Sequence, residues 1–465
     1  MTSTNYDVIV IGASKGGRFF PIDFAKAGRK VALIERDQIG GVCVNFGCTP
    51  TKTMVASARL AYQARRGAEY GVHAGPISVD LRTVRQRKQG IVEGVRNSHE
   101  SRLTALQGRG LDLLMGEAHF IAPKTLEISL KDGETREITA PLIFIDTGDR
   151  PEQLTIKGAE SVPVLNSTTI MELDTLPEHL LITGGGYIGL EFGQMFRRFS
   201  SQVTIIQPRP RLLMNEDEDV SNEITKILRE EGITVLTETM PQQIEPLDGG
   251  RMRLTIRTPQ GEQQITGSHL LAATGRVPNT EALTPEAAGI RLDKDGYIQV
   301  NERLETNVPG IYALGDVKGG PAFTHVSLDD FRIVRTNLLE QGNASTRGRL
   351  VPHTIFIDPQ LGRVGLTENK ARKQGRNIRV AKLPMNAVSR AVETGETRGF
   401  MKAIVDADTQ QILGCAILGA EGGEIMTIIQ VAMMGKLPYT ALRDGIFTHP
   451  TLAEGLKALF MTLDS

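Results

Sequence analysis

Two stretches of this chain repeat one another, and that repeat constrains the fold more than any other feature. The first runs Val8-Ile9-Val10-Ile11-Gly12-Ala13-Ser14-Lys15-Gly16-Gly17, then a helical stretch, then Val31-Ala32-Leu33-Ile34-Glu35. The second runs Leu180-Leu181-Ile182-Thr183-Gly184-Gly185-Gly186-Tyr187-Ile188-Gly189, then a helical stretch, then Val203-Thr204-Ile205-Ile206-Gln207. In each, an apolar strand enters a glycine turn and a helix, and a β-branched strand ends 23 residues after the first glycine. Strand, turn, helix and strand in that order are the context a dinucleotide-binding turn requires. Gly12 and Gly184 permit the tight turn, Gly186 lets backbone approach a pyrophosphate, and Gly17 and Gly189 let helix pack on strand. The helix N-terminus then faces the anion, and Glu35 is placed to bond a ribose hydroxyl. A single such turn is weak evidence, since an ordinary tight turn reads the same way. Two copies at one offset are read as nucleotide binding.

The copies differ. Ser14 stands at the close-approach position of the first, where its Cβ is expected to crowd a phosphate, and Pro21 falls inside the helix expected to follow. A proline beyond the first helical turn costs about 3 kcal/mol, so the first site is expected to bind its ligand differently or weakly.

A length of 465 residues predicts about three domains. Hydrophobic residues at 40% and charged residues at 23% describe a globular chain, and a net charge of -1 removes any electrostatic case for nucleic acid or an anionic membrane as partner. No apolar run approaches the ~20 residues of a bilayer span. The N-terminus enters the strand-like Asp7–Ile11 run at once, so no signal peptide is expected. Three cysteines in such a length fit a reducing, cytoplasmic compartment rather than a disulfide scaffold.

Two of those cysteines lie close together in Gly40-Gly41-Val42-Cys43-Val44-Asn45-Phe46-Gly47-Cys48-Thr49-Pro50-Thr51-Lys52. They can close a small disulfide ring. Thr51 to Gly67 reads as helical, which puts Cys48 near a helix N-terminus, where the dipole favours thiolate. The alternatives are an inert disulfide and half a zinc site, the latter short of ligands because Cys415 is remote and no histidine pair accompanies it. Cys415, in Ile412-Leu413-Gly414-Cys415-Ala416-Ile417-Leu418, reads as a buried strand residue, and no metal site is expected.

The cysteine segment, the two glycine turns, Ala273-Thr274-Gly275-Arg276, Ala313-Leu314-Gly315-Asp316 and His449-Pro450-Thr451-Leu452-Ala453-Glu454 together resemble the class I pyridine nucleotide–disulfide oxidoreductases. The wording is nearest to dihydrolipoamide dehydrogenase-like and mercuric reductase-like members, and the likeness runs in order along essentially the whole chain. It implies an α/β fold of two Rossmann-like dinucleotide-binding domains plus a C-terminal α+β dimerisation domain. The expected boundaries are 1–150 with 279–350 for an FAD-binding domain, 151–278 for an NAD(P)H-binding domain and 351–465 for dimerisation. The turn-rich Thr147-Gly148-Asp149-Arg150-Pro151 and Thr274-Gly275-Arg276-Val277-Pro278 suit the first two boundaries and repeat one another.

The resemblance also implies roles. Hydride passes from nicotinamide to FAD, and electrons pass on to a redox-active Cys43–Cys48 disulfide. Cys48 faces the flavin and Cys43 meets substrate, a small disulfide or thiol-reactive electrophile. Lys52 and Glu191 match an ion pair near the flavin's reactive nitrogen. Asp316 matches the residue holding the ribityl chain. Gly148 and Gly275 lie in the paired turns beside the cofactors, and His325 matches a packing residue near the flavin. His449 matches the general acid–base and Glu454 its orienting carboxylate; an imidazole titrating near neutral pH can give and take back a thiol proton. These two lie in the dimerisation domain, so the resemblance implies a homodimer in which His449 serves the partner's cysteines. Gln207, where an NAD-specific site has an acid, with Arg209 and Arg211 close by, favours NADPH over NADH.

Some positions depart from the family pattern. The chain ends Phe460-Met461-Thr462-Leu463-Asp464-Ser465, without the vicinal C-terminal cysteines of mercuric reductases, and no metal-binding extension precedes it, so mercury reduction is disfavoured. Ser14 and Pro21 break the dihydrolipoamide dehydrogenase pattern, and Lys15 is similar to members that reduce oxidants such as hypohalous-acid derivatives. The competing reading is a repurposed member with an impaired flavin site: a nucleotide- or thiol-binding protein, or a flavin-independent thiol–disulfide enzyme.

Overall fold

The structure, a computed structural model, describes residues 3–464. The chain divides into two compact units: Met1–Thr53, Thr83–Glu152 and Gly275–Arg349 form one, and Met54–Arg82, Gln153–Thr274 and Leu350–Ser465 the other.

The first unit is built on an eight-stranded sheet. Val8–Ile11 pairs in parallel with Val31–Glu35 on one side and with Leu142–Ile145 on the other; Leu111–Ala122 and Ile311–Ala313 extend the parallel core at its two flanks. All residues of Val8–Ile11 and Val31–Glu35 are buried. That is why these strands read as unbroken apolar runs rather than alternating ones: a parallel sheet is covered on both faces. Burial of a side chain such as Ile9 or Leu33 contributes on the order of 1.5–3 kcal/mol. Leu111–Ala122 runs on beyond the parallel core into an antiparallel ladder with Thr125–Leu130 and Thr135–Thr139.

The segment after the first glycine turn is not the long helix the motif predicts. Residues 14–19 form turns, and the helix starts only at Phe20, running to Lys26. Pro21 therefore sits in the first helical turn, where its missing N–H has no partner to lose, and it introduces no kink. The helix expected directly after the turn is therefore interrupted over residues 14–19, in keeping with a proline at 21, but the helix that does form is not kinked. Phe20, at the helix start, is fully buried; it stacks on Phe144 at 4.4 Å and meets Phe331 edge-on at 4.8 Å. An aromatic cluster thus anchors the helix to the sheet.

The second unit holds a five-stranded parallel sheet in the order Thr234–Leu236, Gln202–Ile206, His179–Thr183, His269–Ala272, Val164–Leu165. Its glycine turn leads directly into helix Tyr187–Arg198. The same unit contains an antiparallel five-stranded sheet formed from His353–Ile355, Gln360–Gly365, Ile412–Gly419, Phe400–Asp406 and Ile378–Pro384. Cys415 is wholly buried in that sheet's core, and burial pushes its thiol up to about 12. Arg198 ties the two layers together by pairing with Glu231 at 2.8 Å and Asp358 at 2.6 Å.

Candidate active site

The cysteine segment is shaped by its own backbone. Gly40 has φ +110°, open to glycine and strained for other residues, and leads into the short helix Gly41–Asn45 that carries Cys43. Phe46 leaves helical geometry, and Cys48 then opens the 18-residue helix Cys48–Arg65. Asn45 locks the loop: its side-chain amide donates to the Ile39 carbonyl at 3.2 Å and to the Gly41 carbonyl at 3.1 Å. Sequence reading missed Asn45, although a polar residue between the two cysteines is the signal to look for. Lys52 follows Cys48 by one helical turn.

All three cysteines are thiols in this structure. Cys43 is hydrogen-bonded to Cys48, and that bond, reinforced by burial and by the charge of Cys48, pushes the Cys43 thiol up. Thr324 and Lys15 pull it the other way. The Cys48 Sγ lies 3.5 Å from the Thr324 Oγ1. At a helix N-terminus the dipole favours charge on Cys48. Thr324, the residue before His325, is a second group the sequence did not single out.

The first glycine turn lies in the same unit. Gly12 has φ +101°, and a Cβ there would meet the Asp146 carbonyl at 2.3 Å. A Cβ on Gly17 would stand 2.0 Å from the Gly12 carbonyl. The buried Glu35 accepts the Ala13 N–H and the Asp37 N–H, each at 2.9 Å, and burial pushes its carboxyl up while those bonds oppose. The Ser14 side chain, expected to crowd a phosphate, is bonded to Asp146, as is the Gly17 N–H. Burial pushes Asp146 up to about 8, and the charges of Asp316 and Asp330 add to this. Asp146 was invisible as a site residue in the sequence; a lone acid ending the apolar Leu142–Ile145 run was its signal.

Asp316 sits in the turn Gly315–Lys318. Burial and the charge of Asp149 push it up to about 7, against Arg276 and Lys318. The turn is held by Asp330, wholly buried, which accepts the Gly315 N–H at 3.0 Å and pairs with Lys318 at 3.2 Å and Arg349 at 2.6 Å. Gly148 has φ +66° and its carbonyl accepts the Asn279 N–H at 3.0 Å; Gly275 returns its carbonyl to the Glu152 N–H at 3.1 Å. A glycine turn closed to any Cβ, an acid ending the second strand and a polar turn around Asp316 fit a dinucleotide such as FAD.

The second unit repeats the arrangement. Gly184 has φ +111°, and a Cβ there would meet the Ala273 carbonyl at 2.2 Å; a Cβ on Gly189 would meet the Gly184 carbonyl at the same 2.2 Å. Around Gly186 no atom lies within 4 Å of an added Cβ, leaving that approach open. Gln207 is buried and its amide donates to the Arg211 carbonyl at 3.1 Å. Arg209 is exposed, and the Arg211 Nε is buried without a partner among the described residues. Glu191, 3% exposed, accepts the Phe356 N–H at 2.8 Å. In the same unit the His449 Nδ1 lies 2.8 Å from the Glu454 Oε2, with the imidazole 65% exposed.

Among the described residues no group of three or more His, Cys, Asp or Glu is arranged to hold a metal ion, and no helix is long and apolar enough to cross a membrane.

Comparison with known proteins agrees with this construction. The pyridine nucleotide-disulphide oxidoreductase family matches residues 6–330, and its dimerisation domain matches residues 351–460. The probable pyridine nucleotide-disulfide oxidoreductase RclA of Escherichia coli is 39% identical over 459 residues, covering 98% of either chain. A Staphylococcus aureus mercuric reductase is 35% identical over 99% of this chain and 83% of its own length. A dihydrolipoyl dehydrogenase of Thermus scotoductus is 34% identical over 97% of this chain and 96% of its own. The copper(II) complex of the HOCl-induced flavoprotein disulfide reductase RclA superposes with a TM-score of 0.88 at 39% identity, over 98% of this chain and 99% of that one. The reading of an impaired, repurposed flavin site is not favoured. With two nucleotide turns, a Cys43–Cys48 pair and a dimerisation domain in family order, the chain belongs to the class I pyridine nucleotide–disulfide oxidoreductases, FAD-dependent flavoproteins that pass electrons from NAD(P)H to a redox-active disulfide.

Proposed function

We propose that this enzyme reduces a small disulfide or thiol-reactive electrophile through Cys43, with Cys48 as the cysteine that exchanges electrons with the flavin. The single observation that carries this reading is the hydrogen-bonded Cys43–Cys48 pair, with Cys48 at the start of a long helix. Bound FAD would supply a carrier between the nicotinamide and the Cys43–Cys48 disulfide, two electrons converting that disulfide to the dithiol. Residues 1–150 and 279–350 form its domain, with Gly12, Ser14, Gly17 and Gly148 lining the pyrophosphate, Glu35 on the ribose and Asp316 on the ribityl chain. Residues 151–278 bind the nicotinamide dinucleotide through Gly184, Gly186, Gly189 and Gly275. Gln207 and Arg209 favour NADPH, because no carboxylate stands where a 2′-phosphate would sit. By family likeness, Lys52 and Glu191 match the charged residues that act near the flavin's reactive nitrogen.

Residues 351–465 pair two copies, and His449, oriented by Glu454, protonates the thiolate that leaves at the partner's Cys43 and later takes that proton back. The enzyme works in the reducing cytoplasm. The similarity to a flavoprotein disulfide reductase supports a disulfide substrate. The test is anaerobic titration of the yellow protein with NADPH. A two-electron-reduced form with thiolate–flavin charge-transfer absorbance is expected, absent in Cys48→Ser. Turnover of disulfides unaffected by Cys43→Ser would leave only diaphorase chemistry.

A further inference from the structure

Arg18 is 6% exposed, yet among the described residues no carboxylate pairs with it. Its Nη1 lies 2.6 Å from the His99 Nδ1. Its guanidinium stands over the Phe19 ring at 5.1 Å, and the Lys15 ammonium over the same ring at 6.0 Å. Arg102 follows His99 on helix Leu81–Thr104. Burial, then Arg18, Lys15 and Arg102, push His99 down to about 4, so its ring is neutral and its Nδ1 accepts from Arg18. A neutral imidazole thus orients a guanidinium while leaving its charge uncompensated. Burying a cation without a counter-ion is costly, and Arg18 presents a fork suited to carboxylate.

Lys15 and Arg18 both lie within electrostatic reach of the Cys43 sulfur, so a thiolate formed there faces two cations. The contact is structural as well as electrostatic. The Gly40 N–H donates to the Ala13 carbonyl at 2.9 Å, and a Cβ on Gly41 would stand 2.8 Å from the Ser14 Cβ. The helix bearing Cys43 therefore rests directly on the turn bearing Lys15. Lys15 and Arg18 thus belong to the turn on which the Cys43 helix packs.

We propose that Lys15 and Arg18, the latter oriented by His99, form an anion subsite beside Cys43, and that the disulfide this enzyme reduces carries a carboxylate. This rests on the reading of Cys43 as the residue that meets substrate. The Cys43 thiolate attacks one sulfur of R–S–S–R; a sulfur–sulfur bond forms to Cys43 as the substrate's own breaks, and RS⁻ leaves and is protonated. Cys48 then attacks the Cys43 Sγ, expelling the second RS⁻ and closing the Cys43–Cys48 disulfide. NAD(P)H supplies the two electrons that restore the dithiol. The cations hold the carboxylate during the first attack and stabilise the thiolate that leaves.

The test uses the flavin-loaded enzyme with three small aliphatic disulfides that differ in charge: 3,3′-dithiodipropionate, bis(2-hydroxyethyl) disulfide and cystamine. The expected order of kcat/KM is anion, neutral, cation, with the anion preferred roughly tenfold and the preference shrinking as salt is added. Lys15→Gln is expected to lower the anion-to-neutral ratio about tenfold at unchanged flavin content, and Arg18→Lys to lower it less. No charge preference in the parent enzyme overturns the proposal, as does an equal loss for all three disulfides. Loss of bound flavin in Lys15→Gln also overturns it, because the cations then serve the flavin's phosphates. The charge series in the parent enzyme decides the matter even if a variant fails to fold. If Cys43→Ser abolishes all three turnovers while the parent shows no charge preference, the subsite alone is wrong; if Cys43→Ser changes none, the dithiol reading falls and the subsite with it.

Discussion

The two glycine turns began as copies and have been resolved differently by their surroundings. In the second, the helix starts at Tyr187, immediately after Gly186, and the approach around Gly186 is open. In the first, Ser14 bonds Asp146, turns occupy residues 14–19, and the helix waits for Phe20. What both keep is the pair of contacts a side chain cannot enter: first glycine against the neighbouring strand's end, last glycine against the first glycine's carbonyl. The irreducible part of this motif is therefore steric closure between strand and turn. Helix length and the middle glycine are adjustable.

Exchanging the last glycine probes that closure most severely. Gly17→Ala and Gly189→Ala each force a Cβ into a carbonyl, overpacking on the order of 1–3 kcal/mol, or roughly 5- to 150-fold in affinity. Gly17→Ala is expected to purify with little flavin absorbance. Gly189→Ala is expected to stay yellow and to lose nicotinamide affinity in a binding titration. A colourless Gly189→Ala protein with intact nicotinamide binding would reverse the assignment of the two turns.

The ends of the second strands offer the next contrast. Glu35 is occupied with the backbone of its own turn, whereas Gln207 is neutral and neighbours an exposed arginine. Gln207→Glu is expected to lower kcat/KM for NADPH about tenfold and to leave NADH within about threefold. Equal loss with both coenzymes would show that Gln207 shapes the loop and does not select the coenzyme.

Asp146 makes the first turn sensitive to pH in a way the second is not. Its folded pKa, about 8, lies above the ordinary value of 3.8, so between these limits the folded protein holds a proton that the unfolded chain has released. Stability is fully present below the lower limit and falls as pH rises through that window. Asp146→Asn keeps the bonding shape without the titration. It is expected to flatten this slope and to gain on the order of 1 kcal/mol near pH 8, read from thermal melts across pH. Parallel slopes for the two proteins would mean that Asp146 is ionised in the folded state.

The smallest effect is expected at Pro21. In a first helical turn, Pro21→Ala costs at most about 1 kcal/mol, through the freer unfolded chain. A stabilisation of several degrees in the melting temperature would instead mean that the proline strains the helix.

The chemistry of this molecule was legible because it is local. Gly12, Gly17, Gly184 and Gly189 announce themselves by spacing, Cys43 and Cys48 by their shared segment, and His449 with Glu454 by theirs. Asn45, Thr324 and Asp146 were not legible. Each is an ordinary polar residue whose importance comes from a partner elsewhere: a loop carbonyl, a thiol 276 positions away, a serine 132 positions away. Pro21 announced that the helix would be interrupted, but not that it would restart with the proline in its first turn and Phe20 in the core.

By itself, then, the amino-acid order determined the duplicated nucleotide scaffold and the dithiol, since backbone sterics and bond-forming groups act over a few residues. Only the tertiary structure decided where the first helix begins, that Ser14 turns to Asp146, and that Arg18 is buried beside His99 with no carboxylate among the described residues to neutralise it. Those outcomes depend on desolvation and on charges brought together across long stretches of chain, and such energies exist only once the interior has excluded water.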